Sequence, residues 1–524
     1  MGIVNYKIYT PYRYANEITK EAFREYFKKS YTKEKIENLK IVDLSSGTGN
    51  LLCVALEKLI RFSKKIYGEY KYNENWVTAY DLDKKALEDY KENIENILKK
   101  YNLCGEIRTF LADSLKSDIR EKYNIVLGNP PYIGEKNNKE IFDEIKKTYF
   151  GEKYYQSKMD YFYFFIEKGI EILEGGGVLS YIVTNYWLKA DSATILREKL
   201  KSEGEYSYIN NFNSSVFKDA DGQHNMIFTW VKNKIDKRCL IKNFTLNEKK
   251  FKIDKSDVKQ IMEKFYLKNS ELYDKNGNII LTNIENKNFS EKIIKKSNFK
   301  LGEILNINQG IISGYDEAFI FNKFPKEYEK YIKPFYKSKD IFKYSSKNKN
   351  NFWILYMDKN TKVDDKVLEH LEKYREKLEK RREVKSKKIN WWELQWSRDK
   401  EIFSGEKIVV RQRCKTNIFS YNNGDFFGSA DIYYLTSKTK NIDIFYILGY
   451  LNSEIFYKWY RINGKSKGYN LEFYSTPLKE TPIFYPENKK EIEYISTLVK
   501  NQIKNYSEEI QKKIEEYFLN TYSI

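Results

Sequence analysis

Between residues 39 and 232, short apolar runs alternate with longer amphipathic segments. The runs LKIVDLSS (39–46), WVTAYDLD (76–83), EIRTFLAD (106–113), YNIVLGN (123–129), GGVLSYIVTN (176–185), YSYINNF (206–212) and HNMIFTWVK (224–232) have the length and content of buried strands. Residues 50–64, 84–100, 158–173 and 190–201 carry apolar positions at helical spacing. Such alternation predicts an α/β fold with a mostly parallel, doubly wound sheet. LEGGG at 173–177 predicts a helix stop ahead of the fifth strand. The last two predicted strands lie close in sequence and predict a terminal hairpin.

Beyond about residue 240 the rhythm changes. Residues 254–300 are polar and carry few strong signals. LGEILNINQGIISGYDEAFIF (301–321) and NFWILYM (351–357) predict short β segments, and 364–386 a highly charged helix. Residues 401–436 read as β-rich, and 442–460 and 489–519 as helices. The chain thus divides into a doubly wound domain (1–240), a connecting segment (241–300) and an α+β domain (301–524).

Charge adds a partner class. Of 524 residues, 93 are Lys or Arg and 74 Asp or Glu, a net +19. Such a balance fits either a polyanionic partner or a lysine-rich solvated surface. Cys53, Cys104, Cys239 and Cys414 form no CxxC pair, and His224 and His370 are the only histidines. Neither a metal site nor histidine acid–base chemistry is expected. No signal-peptide pattern or membrane-length apolar run occurs, so a reducing cytoplasm is expected, with no membrane partner.

The chemistry concentrates at predicted strand ends. VDLSSGTGNLL puts Asp43 before Gly47 and Gly49, a glycine turn between strand and helix. A carboxylate there repels a pyrophosphate and suits a cationic or amino-bearing ligand, such as S-adenosylmethionine. Asp81 ends the second strand, where a carboxylate can accept ribose hydroxyls, and Asp113 ends the third, where it can accept from an adenine amine. Each is individually also a helix cap or a solvated carboxylate. The fourth strand stops at Asn129-Pro130-Pro131-Tyr132. Neither proline has an N–H for a sheet ladder. The Asn129 side-chain oxygen and the Pro130 carbonyl can each accept from one exocyclic amine. Two such acceptors draw the nitrogen lone pair out of conjugation, toward a methyl sulfonium. Tyr132 offers a face for a planar base.

With these motifs in this order, the chain resembles the N6-adenine DNA methyltransferases of the gamma, or Taq-type, group, and is similar to solitary clostridial adenine methyltransferases. The resemblance implies a Rossmann-like class I methyltransferase sheet with a C-terminal DNA-recognition domain. It implies that Thr10, within TPYRYANEIT, reaches over the methionine end of S-adenosylmethionine. Asp43, Ser45, Gly47, Gly49, Asp81, Leu82, Asp113, Asn129 and Pro131 would hold that cofactor. Asn129, Pro130 and Tyr132 would form the catalytic loop. SSVFKDADGQHNMIFTW resembles the motif whose phenylalanine packs on a flipped base; Phe217 fits that place, with Phe212 as the alternative.

INQGIISGYDEAFIF, LEKRREVKSKKINWWELQWSRD and LGYLNSEIFYKWY resemble recurring segments of the Taq-type specificity region. Between Lys373 and Lys388 there are nine basic and three acidic residues. They suit phosphates, or simply a solvated helix face. Lys385, Lys387, Lys388, Trp396, Arg398, Lys465 and Lys467 are the candidate DNA contacts, whereas Trp391 and Trp392 also suit a core. The expected partner is double-stranded DNA and the expected state a bacterial, nucleoid-associated monomer. It would be solitary or beside a separately encoded endonuclease. Methylation of RNA adenine or of a protein glutamine amide, a fused nuclease, and a non-enzymatic DNA binder remain alternatives.

Overall fold

The computed structural model describes residues 9–28, 30–217, 223–233, 238–246, 260–467 and 470–524. They fall into two compact units, residues 9–246 with 260–283 and residues Ile284–Ile524.

The first unit is built on a nine-stranded sheet. Its strands are β1 (Ile41–Asp43), β2 (Val77–Asp81), β3 (Arg108–Leu111), β4 (Tyr123–Gly128), β5 (Leu173–Thr184), β6 (Gly204–Asn211), β7 (Asn225–Lys232), β8 (Arg238–Leu246) and β9 (Gln260–Lys268). The order is β3-β2-β1-β4-β5-β7-β6-β8-β9. Strands β1 to β5 run parallel. β7 is antiparallel to both β5 and β6. Side chains alternate between the faces. Val42 and Val126 join one apolar layer with the Phe162–Ile172 helix, while Ile41, Ile125 and Leu127 join the other with the Tyr12–Phe27 and Asn50–Tyr67 helices. Burial on both faces explains why these strands read as continuous apolar runs.

Two expectations need correction here. The β6–β7 hairpin exists but is not terminal, because β8 adds parallel to β6 and β9 antiparallel to β8. Residues 241–246 and 260–268, expected within a connecting segment, are therefore sheet. The polarity that made them look like a linker belongs to an edge: Met262, Lys264, Tyr266 and Lys268 are exposed on β9. The 173–177 segment does stop a helix, at Ile172, and its glycines already belong to β5.

Among the described residues, the second unit holds four small sheets and a helical layer. Leu305–Gln309, Ile432–Ser437, Lys407–Arg411 and Phe419–Asn422 form one antiparallel sheet in that order. Three expected long helices are broken, two of them at buried polar side chains. The 364–386 segment becomes Asp365–Glu372, Arg375–Glu379 and Arg382–Lys385. Arg381 turns extended (φ −63°, ψ 138°) and buries its guanidinium on the carbonyls of Leu378 (2.9 Å), Ser313 (3.2 Å), Glu393 (2.9 Å) and Trp391 (2.7 Å). Gly314 is required opposite it: φ is +81° and a Cβ would come within 2.7 Å of Arg381 Cδ. The 442–460 segment breaks at Asn452–Ser453, where Asn452 pairs with both backbone groups of Phe419 (3.0 and 2.9 Å). The 489–519 segment breaks before Ser507, which caps Glu508–Tyr522.

Arg381→Met is expected to destabilise the second unit by roughly 2–4 kcal/mol, because several buried carbonyls lose their donor. Denaturant melts followed by tryptophan fluorescence check this, Trp391, Trp392 and Trp396 lying beside it; an unchanged midpoint refutes it.

Candidate active site

Strand order reverses between β1 and β4, so the loops leaving these strands diverge and open a crevice. A cavity of about 290 Å³ lies there. Thr10, Asp43, Ser45, Gly47, Asp81, Leu82 and Asp113 line it, as do Asn129, Pro130, Pro131 and Tyr132. Gly49 and Phe217 do not. Gly49 starts the Asn50–Tyr67 helix in a left-handed conformation (φ 79°), and a Cβ there would lie 2.0 Å from the Tyr90 ring.

The three acids differ in environment. Asp43 is buried; loss of water pushes its carboxyl up to about 7, against the opposing hydrogen bond from the Ser45 N–H (3.0 Å). Asp81 accepts from the Gly47 N–H (2.7 Å) and the Asp83 N–H (2.9 Å), which ties the first loop to the second strand end. Asp113 accepts from Leu115 N–H (3.1 Å), with the Lys116 ammonium 3.6 Å away. Thr10 is buried, and its carbonyl accepts from Asn50 Nδ2 (2.9 Å), which fastens the N-terminal segment to the same helix start.

β4 is buried along its whole length and ends at Gly128, whose missing Cβ leaves room for the Tyr181 ring. The Tyr132 hydroxyl donates toward Asn129 Oδ1 (2.8 Å) and the Ile182 carbonyl (3.1 Å). Burial raises the Tyr132 pKa far above the ordinary phenol value, so it stays a neutral donor. Beyond it, Asp160 accepts from Ile133 N–H (3.0 Å), Phe162 N–H (3.3 Å) and the Tyr186 hydroxyl. Burial raises this carboxyl to about 6. Phe217 is buried and tilted toward Tyr132, ring centroids 6.4 Å apart. Phe212 instead stacks on Phe244 (5.8 Å). Of the two, Phe217 is the one facing the catalytic loop; residues 218–222 of its motif lie outside the described residues.

Asn50, Asp160, Tyr161 and Phe165 were not singled out by sequence. All but Asp160 line the cavity. The signal was present in MDYFYFF: Tyr161 and Phe165 are four apart, one helical face, but they read as ordinary core spacing.

In the second unit, Lys385, Lys387, Lys388 and Trp396 are exposed. Gln395 Nε2 donates to Glu383 Oε2 (2.8 Å) and holds the basic segment beside the segment of Trp396, which bridges to Ile312. Trp391 and Trp392 pack against the core. Arg398 departs from expectation: half-buried, with its guanidinium donating to the Gly310 carbonyl (3.2 Å) and Gln309 Oε1 (3.3 Å), it braces a loop. Lys465 is exposed near Glu472 (3.8 Å), on a different small sheet (Arg413–Cys414, Ser466–Lys467, Asn470–Glu472). The Lys467 side chain lies outside the described residues.

Comparison with known proteins agrees with both units. The Eco57I restriction-modification methylase family matches residues 14–217, and the TaqI-like C-terminal specificity domain matches residues 333–483. Together the two matches support a Taq-type DNA methyltransferase. It is 27% identical over 417 residues to the type II methyltransferase M.HindII of Haemophilus influenzae, covering 74% of this chain and 80% of that protein. To M.HincII of Haemophilus influenzae it is 27% identical over 416 residues, covering 74% and 79%. The type IIL restriction-modification enzyme MmeI, solved in complex with DNA, shares the fold: TM-score 0.70, 14% identity, 98% of this chain and 76% of that one. The first unit is thus a class I methyltransferase sheet, and no helix among the described residues is long and apolar enough to cross a membrane.

A cationic ligand favours ionised Asp43. Affinity for S-adenosylmethionine is therefore expected to rise as pH climbs through about 7, and Asp43→Asn to flatten that rise. The sign for the ligand-free protein is opposite: a raised carboxyl pKa contributes stability below the ordinary carboxylate range and loses it as pH rises through about 7. Calorimetric titration and melting across this range check both.

Proposed function

We propose that the protein transfers a methyl group from S-adenosylmethionine to the N6 amine of an adenine extruded from duplex DNA. The observation that carries this reading is that Asn129, Pro130 and Tyr132 share one cavity with Asp43, Asp81 and Asp113.

The cavity fits the cofactor. A desolvated carboxyl at Asp43 gains from a neighbouring ammonium or sulfonium. Asp81 keeps lone pairs for ribose hydroxyls beside its two backbone donors, and Asp113 stands ready for the adenine amine. Leu82 and Phe165 supply apolar walls. When bound, S-adenosylmethionine supplies an electrophilic methyl group. The chain's own part is to hold the amine. Asn129 Oδ1 and the Pro130 carbonyl accept its two hydrogens, which localises the nitrogen lone pair. The proton departs after transfer, so no side chain of high basicity is needed. Tyr132 and Phe217 flank the base; their rings are tilted by 49° with centroids 6.4 Å apart, so a base between them requires the rings to turn parallel and separate to roughly 7 Å, twice a van der Waals contact. Stacking there offsets part of the few kcal/mol that extrusion costs.

The second unit favours DNA over a free amide substrate. Its specificity-type domain presents an exposed basic segment next to an exposed tryptophan. Such a pairing suits phosphates and bases. Action as a monomer, without a fused nuclease, is part of the same reading; incubation with DNA and Mg²⁺ without cleavage is its check.

Asn129→Ala is expected to lower methyl transfer by at least about a thousandfold, as for loss of a group that stabilises charge in the transition state. Cofactor and DNA binding should persist, measured by calorimetry and gel shift; near-normal transfer refutes the assignment. DNA affinity should fall by orders of magnitude between low and physiological salt. A flat response in fluorescence anisotropy refutes a duplex substrate.

A further inference from the structure

The rim of the sheet that carries Asn129 continues past the crevice, and four asparagines lie along it. β4 and β5 are parallel, β6 runs with β5 because both are antiparallel to β7, and β8 is parallel to β6, so their carboxyl ends share one side. Asn185 follows β5, Asn211 ends β6, and Asn243 pairs in register with Asn211 from β8. Asn213 leads into the loop that carries Phe217. Their amides form one hydrogen-bonded chain. Asn185 Nδ2 donates to Asn211 Oδ1 (2.8 Å) and Asn213 Oδ1 (3.0 Å). Asn211 Nδ2 donates to Asn213 Oδ1 (3.1 Å) and Asn243 Oδ1 (2.9 Å). Asn213 Nδ2 donates to Asn243 Oδ1 (3.2 Å) and the Phe244 carbonyl (2.7 Å), and Asn243 Nδ2 to the Leu281 carbonyl (3.1 Å). Asn211 and Asn243 are buried, Asn185 and Asn213 partly so, and none of the four lines the cavity.

Asn213 is the hub. Its side chain makes four of these bonds, and its backbone is left-handed (φ 49°), a conformation asparagine accepts more readily than most residues. Beyond it the loop is tied at each step to Phe217. The Ser214 carbonyl accepts from Asn225 N–H (3.0 Å), Val216 N–H donates to Asn225 Oδ1 (3.1 Å), and the Ser215 hydroxyl donates to the Phe217 carbonyl (2.8 Å). A polar network shielded from water and paired throughout rigidifies what it holds. We propose that this asparagine ladder positions the far wall of the base pocket, holding Phe217 opposite the catalytic loop so that an extruded base meets a wall already in place. A rigid wall adds its full stacking to the capture of the base, whereas a slack one loses part of it to ordering. The ladder also gives β8 a part in the reaction. That strand supplies Asn243 and the Phe244 carbonyl, so the extension of the sheet past the β6–β7 hairpin anchors the pocket wall. Asn213 and Asn243 are positioning residues: they act through Phe217.

The inference rests on the adenine reading with Phe217 as a wall, and the experiment separates the two. Wild type, Asn213→Gly, Asn243→Ala, Phe217→Ala and the Asn213→Gly/Phe217→Ala double variant are compared for kcat on two duplexes of the sequence that wild type methylates. In one the target adenine is paired; in the other it faces an abasic position, so extrusion costs little. Glycine keeps the left-handed turn at 213 and removes only the amide. On the paired duplex Asn213→Gly is expected to lower kcat about tenfold, the scale of one weakened stacking contact. On the abasic duplex the loss should shrink to about twofold or less, because the base is already out of the stack. Added to Phe217→Ala, Asn213→Gly should cost no more than about twofold, the wall being gone. Asn243→Ala, on another strand, should repeat the pattern, and it decides alone if Asn213→Gly fails to fold. Equal losses on both duplexes mean a purely structural role and overturn the ladder, as do fully additive losses or an unchanged kcat on the paired duplex. Full activity of Phe217→Ala, or absence of adenine methylation by wild type, would instead overturn the parent reading.

Discussion

The reversal of strand order between β1 and β4 governs this molecule. Parallel strands deliver their carboxyl ends to one side of the sheet, and only where neighbouring connections turn opposite ways does a crevice open between them. Every polar group of the proposed reaction is placed by that rule. Asp43, Asp81 and Asp113 leave β1, β2 and β3, and Asn129 leaves β4. The apolar layers on both faces keep these strands rigid, so the strand ends cannot drift apart.

Burial gives the crevice its chemistry. A carboxyl exposed to water gains little from a passing cation, whereas Asp43, held where water is excluded, has much to gain. The same exclusion keeps the Tyr132 hydroxyl neutral and makes each of its hydrogen bonds count. Asp160 plays a supporting part: by accepting from Ile133 N–H, it continues the catalytic loop into the segment that supplies Tyr161 and Phe165 to the cavity wall.

The sheet and the strand-end acids were legible because they depend on local pattern. Seven predicted strands and the order of the motifs follow from apolar runs and glycine turns, which one sequence displays openly. What was hidden depends on distant partners. Nothing near Arg381 says that four carbonyls from other segments will claim its guanidinium and stop a helix. Nothing near Asn452 announces Phe419. β8 and β9 read as a connection because an edge strand is only half-buried and its polar residues mimic a linker. Asp160 was invisible for a related reason: an isolated polar residue in an apolar stretch shows its role only when its partners arrive.

Among the described residues β9 is the last strand of the sheet, and its edge carries one last consequence. A strand at the rim of a sheet leaves backbone donors and acceptors unpaired, an invitation to a strand from another molecule. Here Lys264 and Lys268 alternate with Met262 and Tyr266 on its exposed side. A second copy approaching rim to rim would crowd like charges together and strip them of water. Those lysines therefore guard the protein against stacking into fibres at the high local concentrations that crowding on a long polymer would create.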